Sequence, residues 1–312
     1  MAESAQSLEL AYEQQKLNQK TAARPPRKSA NWGQVGTYFV LLIGVLFAIL
    51  PFLWMLSTSL MTVGEITVGR LLPAQPLFFN YLDAWQRANF AQFMWNSARI
   101  TAIQIVGTLL FCIPAAYAFA RMRFFGRNVL FGVMLITLMI PEIVTLIPNY
   151  LTVIWLGRLG EAVCGSDVCA WVNNWPALTV PFMASAFTIF LLRQFFAQIP
   201  DDLWDAARID GAGHLRFLIG VIVPLSKAPI MTVITFAFIG SWNALMWPLL
   251  VTSSDEWRPV AVGLTKFVST DAPGDFQLHM AASVIMVIPI LLLYFFTQRQ
   301  FTEGIASSGL KG

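Results

Sequence analysis

Six long apolar stretches constrain this chain more than any other feature. Each has about the 20 residues that an α-helix needs to cross a bilayer. They run over about 36–57, 100–120, 129–154, 177–196, 228–251 and 280–296. Only 12% of the 312 residues are charged, against about 25% in soluble domains. The sequence therefore predicts an all-α, polytopic membrane protein with six transmembrane helices in one domain, residues 36–312.

Seven prolines lie inside these stretches or at their ends. They are Pro51, Pro114, Pro141, Pro148, Pro181, Pro248 and Pro289. A helix in water rarely accepts proline, whereas in a helix bundle neighbouring groups can satisfy the freed carbonyls. The pattern favours kinked helices around a pathway, although proline is also simply commoner in membrane helices.

The basic residues are distributed unevenly between the two sides of the predicted helices. With the N-terminus inside, 14 of the 20 Lys and Arg face the cytoplasm. Because cytoplasmic loops carry the excess of positive charge, both termini are predicted to be cytoplasmic, as is the connection between the fourth and fifth helices.

The first 35 residues are polar and contain no apolar run. They lack the layout of a secretory signal, and the apolar stretch that follows is long enough to span. We expect a cytoplasmic tail, either disordered or forming a short amphipathic surface helix.

Two of the three cysteines bracket a short turn, CGSDVC, in the second outward loop. An oxidising exterior permits a disulfide between Cys164 and Cys169. A metal site is the alternative, but no third cysteine or histidine lies near. Cys112 lies within a span, where we expect a small buried apolar residue.

The longest polar connection after the tail is the coupling segment, residues 198–227, which contains DAARIDGAG (205–213). It is predicted to form two helices with a turn. Asp201 or Asp202 can cap the first helix, and Gly211 with Gly213 can end it.

This first helix contains both small residues and large apolar residues. Ala206, Ala207 and Gly211 would allow close approach of another protein, and Leu203, Trp204 and Ile209 would anchor in its groove,. The residue types alone favour the alternative interpretation, an amphipathic helix lying on the membrane surface.

The order of residues in this segment resembles a known family. Asp205, Ala206 and Ala207, followed by Gly211 and later Pro224, resemble the EAA loop of permease subunits in bacterial binding-protein-dependent ABC importers. Asp205 stands where that family usually has Glu. The resemblance implies that a coupling helix docks on the ATPase through Leu203, Asp205, Ala206, Ala207, Arg208, Asp210 and Gly211.

The resemblance extends over most of residues 36–312. The stretches IVPLSKAP (222–229), WNALMWPLL (242–250), RPVAVGL (258–264) and the C-terminal FTEGIASSGLKG (301–312) resemble the carbohydrate-uptake branch, in particular its maltose-type second permease. The long tail and the insertion with the cysteine pair depart from the family pattern.

The resemblance implies a complex in the bacterial inner membrane. Its partners would be a sister permease, two ATP-binding subunits carrying ATP and Mg²⁺, and an extracytoplasmic solute-binding protein. The chain contains no GxxxxGK[ST] phosphate loop,, so we expect no enzyme activity and no directly bound cofactor, metal or nucleic acid in this subunit.

Polar residues within the spans are the candidates for solute contact, because burying them in a bilayer is costly. They are Glu142, Thr145, Asn149, Ser241, Trp242 and Asn243. Hydroxyl and amide groups suit a sugar, and the absence of cations in the span centres favours a neutral one over glycerol 3-phosphate.

Two other classes of protein are less consistent with the sequence. A membrane-embedded enzyme would need converging ionisable groups, yet His214 and His279 both lie outside the predicted spans. A secondary transporter would show repeats or several intramembrane charges and would leave the coupling segment without a purpose.

Overall fold

The chain is helical in the computed structural model, which describes residues 32–165, 170–268 and 275–309 and contains no strand within those ranges. The helices are α1 (Trp32–Ser59), α2 (Val63–Thr67), α3 (Phe79–Arg87), α4 (Phe90–Arg121), α5 (Arg127–Thr137), α6 (Glu142–Cys164), α7 (Trp175–Thr179), α8 (Ala186–Phe196), α9 (Asp202–Ile209), α10 (His214–Phe217), α11 (Val223–Leu225), α12 (Lys227–Trp242), α13 (Met246–Val251), α14 (Val260–Leu264) and α15 (Phe276–Gly309). A 3₁₀ turn, Val180–Phe182, extends α7, and a π-helical turn, Leu218–Ile222, joins α10 to α11.

Four of the described helices are long and apolar enough to cross a membrane: Gly36–Ser59 within α1, α4, α6, and Phe276–Gln298 within α15. Two bent pairs of helices raise the number to six if each pair is one span. The pair Trp175–Phe182 and Ala186–Phe196 bends by 40°, and the pair His214–Leu225 and Lys227–Trp242 bends by 83°. The predicted all-helical, polytopic class is confirmed, whereas the cytoplasmic placement of the termini stays a prediction.

Three predicted spans are not single helices. The predicted span 129–154 is wrong as one helix, because the chain breaks at 138–141 between α5 and α6. Pro141 has no N–H to continue α5 and disfavours helical backbone at the residue before it. The spans predicted at 177–196 and 228–251 are interrupted at 183–185 and 243–245.

Helix α1 contains no charged residue in its 28 positions and keeps Pro51 within a continuous helix. The chain separates into two compact units between Leu53 and Trp54, so α1 begins in the first unit and ends in the second. The sites described below lie entirely in the second unit. The predicted tail, up to residue 31, lies outside the described residues.

Helix α4 is the central element of the second unit. It packs against α3, α7, α8, α12 and α14. Three hydrophobic clusters follow one another along it: one contains Phe90 and Phe93, the next contains Ile100, and the third contains Cys112, Ala116 and Tyr117. The core is therefore arranged along a single helix.

The amino end of α4 is tied to the loop that precedes α14. The Asn96 amide donates to the Arg258 carbonyl at 2.9 Å, and the Ser97 hydroxyl accepts from the Val260 N–H at 2.7 Å. The Arg99 guanidinium lies 3.7 Å from the centroid of the Trp257 ring, a cation–π contact. These contacts fix the loop by its backbone.

The predicted cysteine pair is only partly within the described residues. Cys164 is the last residue of α6 and is disulfide-bonded. Cys169 lies outside the described residues, so the pairing of the two stays a prediction. Cys112 is a free thiol and fully buried in the core.

Candidate functional site

A cavity of about 750 Å³ lies where helices are interrupted. Its wall is formed by α4, α6, α8, α12, α13 and the 3₁₀ turn after α7. The lining residues are Gln104, Thr108, Glu142, Ile143, Thr145, Leu146, Asn149, Phe182, Ser185, Phe187, Thr188, Phe236, Ala237, Gly240, Ser241, Asn243, Ala244, Leu245, Met246 and Trp247.

All three helix breaks adjoin this cavity. Glu142 is the first residue of α6, Ser185 directly precedes α8, and residues 243–245 separate α12 from α13. Irregular backbone at membrane depth is tolerated where it lines a cavity, because polar backbone groups there are not left in hydrocarbon. The cavity therefore accounts for where these helices stop.

Five of the six residues predicted to contact solute line the cavity: Glu142, Thr145, Asn149, Ser241 and Asn243. Three of these side chains, those of Thr145, Ser241 and Asn243, are held by hydrogen bonds within the chain. The Thr145 hydroxyl donates to the Glu142 carbonyl at 2.9 Å, the Asn243 amide donates to the Ile239 carbonyl at 3.0 Å, and Ser241 accepts from Thr101 at 3.0 Å. Contact of any of them with a solute stays a prediction.

The prediction for Trp242 is wrong. Its ring is 3% exposed, stacks on Phe238 at 5.3 Å and donates to the Met286 carbonyl at 3.1 Å. Trp247 lines the cavity instead, with its indole N–H bonded to the Ala177 carbonyl at 2.8 Å. Because the backbone is irregular between these two residues, helical spacing does not predict which indole faces the cavity.

Sequence reasoning missed four polar residues of the wall: Gln104, Thr108, Ser185 and Thr188. Gln104 carried a usable signal, since an amide in the middle of an apolar span is costly unless it is paired. Its side chain donates to the Leu178 carbonyl at 2.7 Å. The two threonines carried no such signal, because hydroxyls in membrane helices commonly bond within the protein.

The wall is polar but almost uncharged. Glu142 is the one ionisable residue that lines it, and no lysine, arginine or histidine does so within the described part of the chain. Glu142 lies in the first turn of α6, where the positive end of the helix dipole favours a carboxylate. The wall can donate hydrogen bonds to a polar solute of moderate size and can accept hydrogen bonds from it.

A second feature lies beyond the carboxyl end of α4, where α9 presents one face outward. We call this the coupling surface, formed by Leu203, Asp205, Ala206, Arg208, Ile209, Asp210 and Gly211, all of which are exposed. Six of the seven residues predicted to couple to the ATPase lie on it. The seventh, Ala207, is half-buried and packs with Trp204 against the third hydrophobic cluster.

The prediction that Trp204 anchors in a partner groove is wrong. Its ring faces the interior, stacked on His214 with ring centroids 4.5 Å apart and near the Phe217 ring at 5.0 Å. Ile209, whose side chain is 88% exposed, is the large apolar residue that the coupling surface presents most fully.

The amino end of α9 is built differently from the prediction, whereas Gly211 ends the helix as predicted. Asp201 makes no side-chain cap, and its carboxylate pairs instead with the Arg121 guanidinium. At the other end, the Gly211 N–H donates to the Arg208 carbonyl at 3.0 Å and the Ala212 N–H donates to the Ala207 carbonyl at 2.8 Å. This is a Schellman motif, and Gly211 has the positive φ of +74° that it requires.

Gly213 was predicted to help end α9, and that prediction is wrong. It has an extended backbone and lies at the N-cap of α10. Gly211 alone therefore supplies the left-handed residue at the end of α9.

These two features define a class of protein. A bundle of apolar helices with a polar cavity at its broken helices, together with a short capped helix exposed beyond them, is the architecture of a membrane transport permease. The chain belongs to the family described as binding-protein-dependent transport system inner membrane component, whose profile matches residues 109–306. It is a multi-pass permease subunit of an ABC importer.

Curated relatives cover nearly the whole chain. A protein of Brucella abortus (strain 2308), the sn-glycerol-3-phosphate transport system permease protein UgpE, is 31% identical over 281 residues, which are 87% of this chain and 95% of the relative. The protein of the same name from Yersinia enterocolitica (serotype O:8 / biotype 1B, strain NCTC 13174 / 8081) is 32% identical over 280 residues, again 87% and 95%.

Solved structures show the same fold. A chain of a bacterial ABC transporter involved in the import of the acidic polysaccharide alginate superposes with a TM-score of 0.73 at 26% identity, covering 88% of this chain and 99% of that one. A chain of the bacterial alginate ABC transporter in complex with an alginate pentasaccharide-bound periplasmic protein gives 0.60 at 12% identity, covering 86% and 96%. The second likeness concerns the fold alone.

Proposed function

We propose that this chain is one of two permease subunits in an importer that moves an uncharged sugar, with a di- or oligosaccharide as the main substrate. The observation that carries the proposal is the cavity wall, which offers amides, hydroxyls and one carboxylate but no described cation. Neutral sugars present many hydroxyls, and such groups pair well with amide and carboxylate partners. The cavity volume of about 750 Å³ is in the range of small-molecule sites, about 300–1,000 Å³.

A phosphorylated solute is the second candidate, since the relatives from Brucella and Yersinia are named as glycerol 3-phosphate permeases. A phosphate is recognised by arginine or lysine. In the described part of this chain the cavity wall carries one carboxylate, Glu142, and no lysine, arginine or histidine. A phosphorylated solute would therefore depend on cations supplied by the sister permease.

The proposed complex contains partners that provide energy and solute. The family description names a binding protein and an inner membrane, which supports a solute-binding protein outside and the cytoplasmic membrane as location. Two ATP-binding subunits would carry ATP and Mg²⁺ and would dock on the coupling surface, whose exposed apolar residue Ile209 suits a helix-in-groove contact. This subunit would itself catalyse no reaction.

The proposal is tested in proteoliposomes that contain the permease pair, the ATPase and the binding protein. Uptake of radiolabelled maltose is compared with uptake of radiolabelled glycerol 3-phosphate. We expect ATP-dependent maltose uptake, reduced about tenfold in Glu142→Gln, because a hydrogen bond to a charged group contributes about 1.5–3 kcal/mol.

The matched control is Thr232→Val, because the Thr232 hydroxyl donates to the Ala228 carbonyl within its own helix. That variant should leave uptake unchanged. If glycerol 3-phosphate alone is taken up, and its uptake increases in Glu142→Gln, the substrate is a phosphorylated solute and the proposal of a neutral sugar is wrong.

A further inference from the structure

Three aromatic side chains from three helices meet beside the coupling surface. The Tyr117 hydroxyl of α4 is hydrogen-bonded to His214 Nδ1 of α10 at 2.8 Å. The His214 ring stacks on the Trp204 ring of α9, with centroids 4.5 Å apart and planes inclined by 13°. One continuous set of contacts therefore runs from α9 through α10 to α4.

The inner residues of this set are buried and closely packed. Tyr117 is 3% exposed and Phe217, which contacts both Tyr117 and Trp204, is 1% exposed. Close-packed interiors have low compressibility and transmit displacement. The stacked rings resist compression, while the hydrogen bond fixes the position of His214 against Tyr117.

A second attachment reinforces the first. Arg121, one helical turn after Tyr117 on α4, donates from Nε to the Phe196 carbonyl at 3.0 Å and also bonds the Ile199 carbonyl and the Asp201 carboxylate. Residues four apart share a helix face. The start of α9 and its inner face are thus both fastened to one face of α4.

The same helix reaches the cavity. Helix α4 is continuous from Phe90 to Arg121, and its residues Gln104 and Thr108 line the cavity wall. Tyr117 follows Thr108 by nine positions, about 14 Å along the axis. Pro114 lies between Thr108 and Tyr117 without ending the helix. A displacement of α9 applied through Tyr117 and Arg121 would therefore move a wall of the cavity.

We propose that Tyr117, His214 and Trp204 are positioning residues that couple the movement of α9 to α4, and thereby couple ATP hydrolysis to opening of the cavity. The inference goes beyond the proposed function and rests on it for the docking of an ATPase at α9. These residues touch neither solute nor nucleotide. Their role is to preserve the number of solute molecules moved per ATP.

The experiment uses the complete reconstituted importer and measures maltose uptake and ATP hydrolysis together. Tyr117→Phe removes one hydroxyl, and His214→Phe keeps a stacking ring without the hydrogen bond. We expect each variant to assemble, to hydrolyse ATP and to move about fivefold less solute per ATP, the factor that corresponds to one hydrogen bond of about 1 kcal/mol. The double variant should fall no further than either single variant, because both lose one shared contact.

His279→Phe is the matched control, since His279 is the other histidine of the chain and bonds the Leu264 carbonyl at 3.2 Å, far from α9 in sequence. It should keep the uptake per ATP of the unmodified protein. A readout independent of the solute is the labelling of Thr108→Cys, which ATP should alter when Thr108→Cys is the only change and not when Tyr117→Phe or His214→Phe is added to it.

Three outcomes would overturn the proposal: unchanged uptake per ATP in both single variants, additive losses in the double variant, or ATP-dependent labelling that persists in both. Loss of assembly in Tyr117→Phe would also overturn it, because the contact would then serve folding. If no maltose is transported while the labelling follows ATP and the two contacts as expected, the proposed substrate fails and the coupling inference stands.

Discussion

The region around α9 and the wall of the cavity use helical backbone in opposite ways. At α9, a helix of eight residues is closed by a Schellman motif at one end and held by the Arg121 guanidinium near the other. At the cavity, three helical paths are interrupted, at 138–141, 183–185 and 243–245. One region satisfies its terminal backbone groups locally, and the other exposes irregular backbone to a polar space.

This difference separates two mechanical requirements. A surface that receives a partner must keep its shape when it is displaced, and closed caps with stacked rings provide that. A wall around a passing solute must change shape, and helices already broken can bend with little loss of hydrogen bonds. If this difference is real, substitutions around α9 should impair coupling or stability more than substitutions at the helix breaks beside the cavity.

The largest effect is expected from Arg121→Ala, which removes the attachment of α9 to α4. The change leaves the Phe196 and Ile199 carbonyls and the Asp201 carboxylate without their guanidinium donor, and charged hydrogen bonds contribute about 1.5–3 kcal/mol each. We expect a loss of about 3 kcal/mol in the free energy of unfolding, together with loss of ATP-driven uptake.

The measurement is thermal unfolding of the purified protein in detergent, with uptake assayed in parallel. Arg123→Ala is the control, because Arg123 is exposed two positions further on. Equal unfolding midpoints for Arg121→Ala and the unmodified chain would show that the attachment is not needed.

A smaller effect is expected at the closed end of α9. Gly211 has φ +74° with nothing within 4 Å of an added Cβ, so a side chain there is opposed by backbone conformation and not by space. Gly211→Val should cost about 1–2 kcal/mol and reduce uptake per ATP. Gly211→Asn should cost less, because asparagine tolerates left-handed backbone.

Gly213→Ala is the matched control for Gly211. It lies two residues later with nothing within 4 Å and without a positive φ, so its uptake should equal that of the unmodified protein. If Gly211→Val and Gly213→Ala behave alike in the uptake assay, the Schellman motif has no role in coupling.

A third effect is expected at the break between α7 and α8, beside the cavity. A Cβ on Gly107 would lie 2.4 Å from Met183 Cγ, at the start of the break between α7 and α8. The Met183 side chain would have to change rotamer, at a cost of about 1–3 kcal/mol. Replacing glycine by alanine within a helix gains about 0.5–1 kcal/mol, so Gly107→Ala should cost about 1 kcal/mol of stability. Gly132→Ala, where nothing lies within 4 Å, should cost none. A loss above about 3 kcal/mol for Gly107→Ala, measured by thermal unfolding, would mean that this break is rigid.

The smallest expected effect is a pH dependence far from both regions. A hydrogen bond from Lys266, with help from the Lys266 and Arg258 charges, holds the pKa of Asp255 below its usual range. The lowered pKa stabilises the folded state above the ordinary carboxyl pKa of about 4, and this contribution disappears as the pH falls through the lowered value. The difference between the unfolding midpoints at pH 6 and pH 3 should be slightly smaller in Asp255→Asn than in the unmodified protein. High salt should reduce the effect of this substitution, because the Asp255–Lys266 pair is partly exposed.

Proline shows how far the sequence could predict this fold. Apolar length located the helical regions, because a spanning helix needs about 20 residues whatever its neighbours are. Pro51, Pro114, Pro148 and Pro289 nevertheless lie inside continuous helices, whereas Pro141 marks a break. Whether a freed carbonyl finds a partner depends on the surrounding helices, so the breaks were not predictable from single prolines.

The site was predictable to a similar extent. Polar residues in spans pointed to Glu142 and Asn149 by their cost alone, and both line the cavity. Trp242 and Trp204 were assigned to surfaces although both face the interior. An indole suits a solute, a partner or a packed core equally well, and only the tertiary structure distinguishes these environments.

The length of α4 has a consequence for the membrane around the protein. Its 32 residues extend about 48 Å, against a hydrocarbon thickness of about 30 Å. Tilt alone would have to exceed about 50° to match the two lengths, beyond the roughly 0–40° seen for membrane helices. At least one end of α4 therefore projects past the hydrocarbon layer, and a thinner or thicker bilayer changes which of its turns are solvated instead of straining the helix.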